Sequence, residues 1–390
     1  MVQKAKNRSI RLVQTAADLE EVVPIIAGAK ELAIDLEFDK NRFRYGFNLC
    51  LMQIAAGDVC FVIDPLAQGV KVDPLFPVLE NPEVDKLVFA FGEDLRLLHY
   101  LGCFPKGLSD LKTATSLLNY PPASLTNLLD EILDVQLGQS AQNSNWFKRP
   151  LTENQVEYAA DDVRYLQALK VRVMKEARQR GIEAWVEEEN AYLDTLSYAD
   201  VANNEMYRTK DKLGQSEFDW FVLKRLFEFR EKLAQKVNRP SYQIFHKDFL
   251  TELAKDSSAI RKWNSVKGIH RAVNNSKVRS QLQAELDAAV RDAKAQNKSK
   301  SELAIPKPSP EETRRRRAEK AEMERVKQQV FAPLKKKLIA DYGENAATFM
   351  LSNRVIMDII GGDKSSLRNY KRELLEKYAG ELGLDVEQYL

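Results

Sequence analysis

Between residues 30 and 64 apolar and polar positions alternate with a period of two. In KELAIDLEF, Leu32, Ile34, Leu36 and Phe38 fall on one side and Ala33, Asp35 and Glu37 on the other, which predicts a strand. NLCLMQIAA and VCFVID predict two more, with Gly57-Asp58 turning the chain between them. The apolar run LVFAF (87–91) predicts another strand, and Gly92-Glu93-Asp94 opens a helix through Tyr100. Residues 108–135 read as mainly helical, interrupted at Pro121-Pro122. Thr152 and Gln155 have capping-box spacing, so a helix is expected from there through about Val173. Strands alternating with helices predict an α/β core.

From about Leu213 the pattern becomes helical only. DWFVLKRLFEFREKLAQKV places Phe218, Phe221, Val222, Leu226, Phe229 and Leu233 on one stripe, and Arg239-Pro240 ends that helix. HKDFLTELAKD begins another. Residues 294–313 hold three prolines among Lys, Ser and Glu and read as a linker. A charged helix is expected over about 314–340, then two more joined at Gly361-Gly362.

Composition and charge narrow the function classes. The 390 residues carry 59 Lys and Arg against 57 Asp and Glu, a net charge of +2 that by itself argues against a nucleic-acid partner. The average hides an asymmetry. Residues 1–200 hold 21 basic and 30 acidic side chains, whereas 201–390 hold 38 and 27, so a half at −9 joins a half at +11. No apolar run reaches the ~18 residues of a membrane span, and the N-terminus shows no secretory h-region. Three cysteines without a CxxC pair suit reduced thiols, and a cytoplasmic location is expected. With three histidines and no GxxxxGK[ST] or HExxH, hydrolytic chemistry here would rest on carboxylates.

Asp35 and Glu37, two apart on one strand, point the same way. Adjacent carboxylates repel unless one keeps a proton or a divalent cation joins them. Alone, a DxE pattern is more often a solvated strand face. Asp94 lies just past a strand end, where α/β sheets place ligands, although such a carboxylate also suits a helix N-terminus. Tyr158 and Asp162, four apart, share a helix face. Asp161 competes with Asp162, and the spacing to Tyr158 favours the latter.

Taken in order, DLE, GEDLRLL and YAADDVRYL resemble the DEDD superfamily of 3′–5′ exonucleases, in its tyrosine branch, and most closely the ribonuclease D family. The resemblance spans about residues 10–200 and includes LCLMQIA and NWFKRPLTENQVEYAADDVRYL; the histidine branch would need His where Glu157 stands. It implies a ribonuclease-H-like α/β domain (1–205) followed by two all-α helical bundles. It also implies two divalent ions (Mg²⁺ or Mn²⁺), with Asp35, Glu37 and Asp162 as ligands of one and Asp94 holding the second through water. Tyr158 would hold or deprotonate the attacking water, and nucleoside 5′-monophosphates would leave RNA 3′ ends, tRNA precursors among them. The chain departs from the family pattern at Leu36, Phe89, Gln139 and Asn145, and none of these removes a metal ligand.

Residues 213–293 resemble the helicase-and-RNase-D C-terminal (HRDC) domain through LKRLFEFREKLAQKVNRP and FHKDFLTELAK, and 325–390 resemble a second, divergent copy after a linker and helix start at 294–324. The basic half suits a polyanion. Arg314, Arg315 and their neighbours are candidate RNA contacts, or equally a solvated helix face. Arg42, Phe43, Arg44 and Tyr45, following the DxE strand, could stack on and neutralise the substrate's 3′ end or form a plain loop, and Phe38 is a further substrate-binding candidate. The expectation is a monomeric, RNA-directed exonuclease without a membrane partner; a DNA exonuclease and a non-catalytic RNA-binding scaffold are the alternatives.

Overall fold

The computed structural model describes residues 2–198 and 206–390. They divide into two compact units. The first takes residues up to Glu37, those from Leu49 on through 198, and Arg314–Leu390; the second takes Phe38–Asn48 and residues from 206 to Thr313.

The first unit is built on a six-stranded sheet: β1 (Ser9–Val13), β2 (Glu31–Lys40), β3 (Phe47–Ala56), β4 (Val59–Ile63), β5 (Asp85–Val88) and β6 (Leu108–Asp110), ordered β1-β4-β3-β2-β5-β6. β4 pairs parallel with β1 and antiparallel with β3, and β5 pairs parallel with both β2 and β6. The carboxyl ends of β2, β5 and β6 therefore share one sheet edge. Alternation in β2 does not mean one wet face, because Leu32 and Ala33 are both fully buried. β5 stops earlier than the apolar run predicts: Ala90 turns left-handed (φ 58), and the Asp110 carboxylate accepts the N–H groups of Ala90 (2.8 Å) and Phe91 (3.2 Å).

Thr152 and Gln155 form the capping box that starts the helix Glu153–Arg164. That helix does not run unbroken through Val173. Tyr165 (φ −105, ψ −2) separates it from Leu166–Gln179, and neither Gly nor Pro marks the break. Tyr165 is only 4% exposed, so packing of its ring rather than a helix breaker accompanies the junction. The helices Ala332–Tyr342, Glu344–Met350, Asn353–Ile360 and Asn369–Leu382 join the same core, where Leu338, Ala347 and Leu374 meet Leu166, Leu169 and Val173 in one cluster. Trp185 stacks on Tyr370 at 4.9 Å and 16°. The charged helix starts at Pro310, inside the stretch read as linker, because Ser309 and Glu312 cap it reciprocally and proline is tolerated at the first helical position.

The second unit is helical: Glu217–Val237, Lys247–Lys255 and Ser276–Ala295 pack around Val222, Leu226, Leu250, Trp263 and Leu286. The buried stripe of the first helix is wider than the sequence stripe. Leu223 and Phe227 are buried, while Phe221 and Phe229 are only partly so, since the helix touches both of the others. It ends on left-handed Asn238 (φ 48), just before the expected Arg239-Pro240. Part of the proline-bearing stretch folds back on it: Phe218 N–H donates to the Ser299 carbonyl (2.9 Å) and Glu217 N–H to that of Glu302 (2.9 Å).

Candidate active site

Ligand atoms of Asp35, Glu37 and Asp162 lie within 4.8 Å of one another. β2 supplies the first two from one face, and the helix Glu153–Arg164 supplies the third together with Tyr158 one turn earlier. Tyr158 sits beside Asp162 on the helix, close enough that its hydroxyl counteracts the upward shift of the Asp162 carboxyl. Asp94, in the first turn of the helix Gly92–Tyr100, is close enough to raise the pKa of Asp35, Glu37 and Asp162 electrostatically. The structure thus brings all five predicted residues together.

Burial is the chief perturbation in this cluster. It lifts Asp94 to about 7 against the pull of its own backbone N–H, with Asp110 and Glu93 adding repulsion. It likewise lifts Asp162 to about 7, although the Tyr158 hydroxyl works against it. Asp35 and Glu37 are raised well above the ordinary carboxylate range, first by burial and then by Asp162 and Asp94. Burial followed by the charge of Asp162 pushes the Tyr158 phenol upward too. Asp161 points elsewhere and pairs with Arg164 at 2.7 Å.

Two supporting devices had no sequence signal. Asp110 holds the turn before Asp94 and caps the next helix through Lys112 N–H (2.9 Å). Arg149 donates to Asp64 twice (2.5 and 2.6 Å), to the Cys50 carbonyl (2.9 Å) and to the Trp146 carbonyl (2.7 Å). This anchors the segment whose Trp146 lies 6.2 Å from the Tyr158 ring. Asp64 and Cys50 stand 85 or more residues away in the chain, so only folding reveals them.

The structure places the remaining candidates as follows. Phe38 and Tyr45 belong to the second unit, where Phe38 meets Phe47 edge-on (5.3 Å) and the Tyr45 hydroxyl donates to Glu231 (2.6 Å). Arg314 and Arg315 are exposed, and Arg315 faces Glu319 at 3.4 Å. His99 is 6% exposed and accepts from Tyr198 N–H, a core role. Among the four departures from the family pattern, Gln139 is exposed and Asn145 accepts from Phe147 N–H (3.1 Å).

Family models match at residues 10–178 (3′-5′ exonuclease) and 221–271 (HRDC domain). Among curated relatives, ribonuclease D of Bartonella henselae is 27% identical over 67% of this chain and 65% of its own length. Ribonuclease D of Desulfotalea psychrophila is 30% identical over 62% and 66%. The chain thus carries a 3′-5′ exonuclease domain and an HRDC domain and is similar to ribonuclease D proteins. It spans just under two thirds of the length of these relatives. The fold agrees along nearly the whole chain: the crystal structure of Escherichia coli RNase D superposes with a TM-score of 0.66 at 22% identity, covering 96% of this chain and 99% of that one. No helix among the described residues is long and apolar enough to cross a membrane.

Proposed function

We propose that the chain is a metal-dependent 3′–5′ exoribonuclease that releases nucleoside 5′-monophosphates from RNA 3′ ends, tRNA precursors included. The observation that carries this reading is the approach of Asp35, Glu37 and Asp162 within 4.8 Å, with Asp94 and Tyr158 beside them. The donors are all carboxylate oxygens, a set that fits Mg²⁺ or Mn²⁺ and suits neither copper nor structural zinc. Clustered buried carboxylates also need a cation to ionise together. Asp35, Glu37 and Asp162 would hold one ion, and Asp94 would help to hold another. Bound divalent ions supply charge neutralisation at the phosphodiester and acidify the attacking water.

The remaining work falls to the side chains. Burial, followed by the charge of Asp162, pushes the Tyr158 phenol upward in the metal-free cluster. Beside the carboxylates, its hydroxyl is placed to hold the attacking water by hydrogen bonding. The half at +11 supplies sequence-independent attraction for a polyanion, and this attraction weakens as salt rises.

The test is 3′-end-labelled RNA and DNA of one sequence with Mg²⁺ or Mn²⁺, followed by mononucleotide detection. Stepwise 5′-monophosphate release from RNA, abolished by EDTA, is expected. Failure to release mononucleotide with either metal would sink the reading, and release from DNA alone would reassign the substrate.

A further inference from the structure

A cavity of about 200 Å³ opens on the first unit, and its walls come from distant parts of the chain. Phe89, Lys112, Tyr120 and Pro121 line it from one side, and Asn345 and Phe349 of the helix Glu344–Met350 from the other. Phe89 directly follows β5 and Lys112 lies two residues past β6, both strands being parallel members of the sheet that carries Glu37. The cavity is thus on the sheet edge where the carboxylates gather, the edge at which parallel α/β sheets take ligands.

Its walls are held rigidly. Asn119, left-handed at φ 68, accepts the N–H groups of Asn345 (2.9 Å) and Ala346 (3.3 Å) on its side-chain oxygen. Its carbonyl accepts from the Asn345 amide at 3.2 Å. Gly343 (φ +88) permits this approach, since a Cβ there would meet the Asn119 amide nitrogen at 2.2 Å. The Tyr120 hydroxyl donates to Glu176 at 2.9 Å, which fixes the second ring. Three aromatic rings and one exposed ammonium therefore border a slot whose lining contains no carboxylate.

We propose that this slot receives one unpaired base of the RNA strand, stacked among Phe89, Tyr120 and Phe349, with Lys112 meeting the adjoining phosphate. The proposal rests on the exonuclease reading of the carboxylate cluster. Aromatic platforms beside a cation bind single-stranded RNA because every base has a π face and every linkage a charge. Stacking on aromatic faces needs a base free of its neighbours, so the strand must be unpaired there. The C-terminal helices thereby become part of the substrate site.

The test uses the full chain and pentaribonucleotides carrying 2-aminopurine at successive positions, with Ca²⁺ in place of Mg²⁺ to hold the strand uncleaved. Wild-type protein is expected to quench the probe at one position. Phe349→Ala should lose that quench and bind about tenfold more weakly, while Phe349→Trp should restore both. Lys112→Ala, at an exposed position, should weaken binding at every probe position and flatten its salt dependence. In Mg²⁺, KM should rise in Phe349→Ala while kcat stays at the wild-type value. Wild-type quenching and affinity in Phe349→Ala would overturn the proposal, as would equal quenching at all positions. A chain that stacks the probe yet releases no nucleotide would remove the exonuclease reading and leave the slot standing.

Discussion

At the residue scale, adjacent positions have opposite fates. Asp162 joins the cluster, and Asp161 turns to Arg164. Asp162→Asn is expected to abolish mononucleotide release with the circular dichroism spectrum unchanged; normal turnover would move the ligand to another carboxylate. Tyr158→Phe keeps the ring and loses the hydroxyl that positions the water, so kcat should fall by about 10²-fold with KM little changed. The carboxylates also set a pH dependence. Asp94 and Asp162 are raised from 3.8 to about 7, so without metal the folded chain binds protons in that window that the unfolded chain has released. That stabilisation is complete below 3.8, declines through the window and is gone above about 7. Mg²⁺ must displace these protons at pH 5 but not at pH 8, so it should raise Tm more at pH 8. Equal increments at both pH values would place the ion elsewhere. The five residues were legible because each lies in a short motif; Asp110 was not, because its partners Ala90 and Phe91 are distant in sequence.

At the element scale, the helix Glu153–Arg164 aims both Tyr158 and Asp162, and Thr152 starts it. Thr152→Ala removes the acceptor for the Gln155 N–H (3.2 Å) and should cost about 1 kcal/mol in urea unfolding. A loss well below that would mean the reciprocal Gln155 bond to the Thr152 backbone is sufficient alone. The same capping chemistry operates at Ser309 and Glu312, inside the stretch read as a linker. The break at Tyr165 had no sequence signal, since it comes from burial of a ring.

At the scale of the whole molecule, the C-terminal helices join the exonuclease core through a buried charged cluster. Glu189 accepts the Tyr370 hydroxyl (2.7 Å) and pairs with Lys371 (2.7 Å), both cations and acids there being largely shielded from water. Glu188 accepts the N–H groups of Asn369 (2.6 Å) and Tyr370 (3.2 Å). Glu189→Ala strands the Lys371 ammonium, and a loss of about 3–5 kcal/mol is expected from the urea midpoint. A loss under about 1 kcal/mol would mean that water reaches Lys371 once the acid is gone. The charge split at residue 200 remains a sound account of composition, yet the chain does not fold along it. Arg314–Leu390 belongs to the unit of the acidic half.

The sequence alone determined the four strands β2 to β5, the capped helix start at Thr152 and the identity of the five clustered residues; β1, β6 and the helix start at Pro310 were not legible in it. Period-two patterning, caps and short motifs are local, and each residue there carries its own signal. Only the tertiary structure decided which side chains brace the cluster and which core the last helices join. Those outcomes depend on contacts closed across long loops, where burial and shape complementarity choose the partner and no neighbouring residue records the choice.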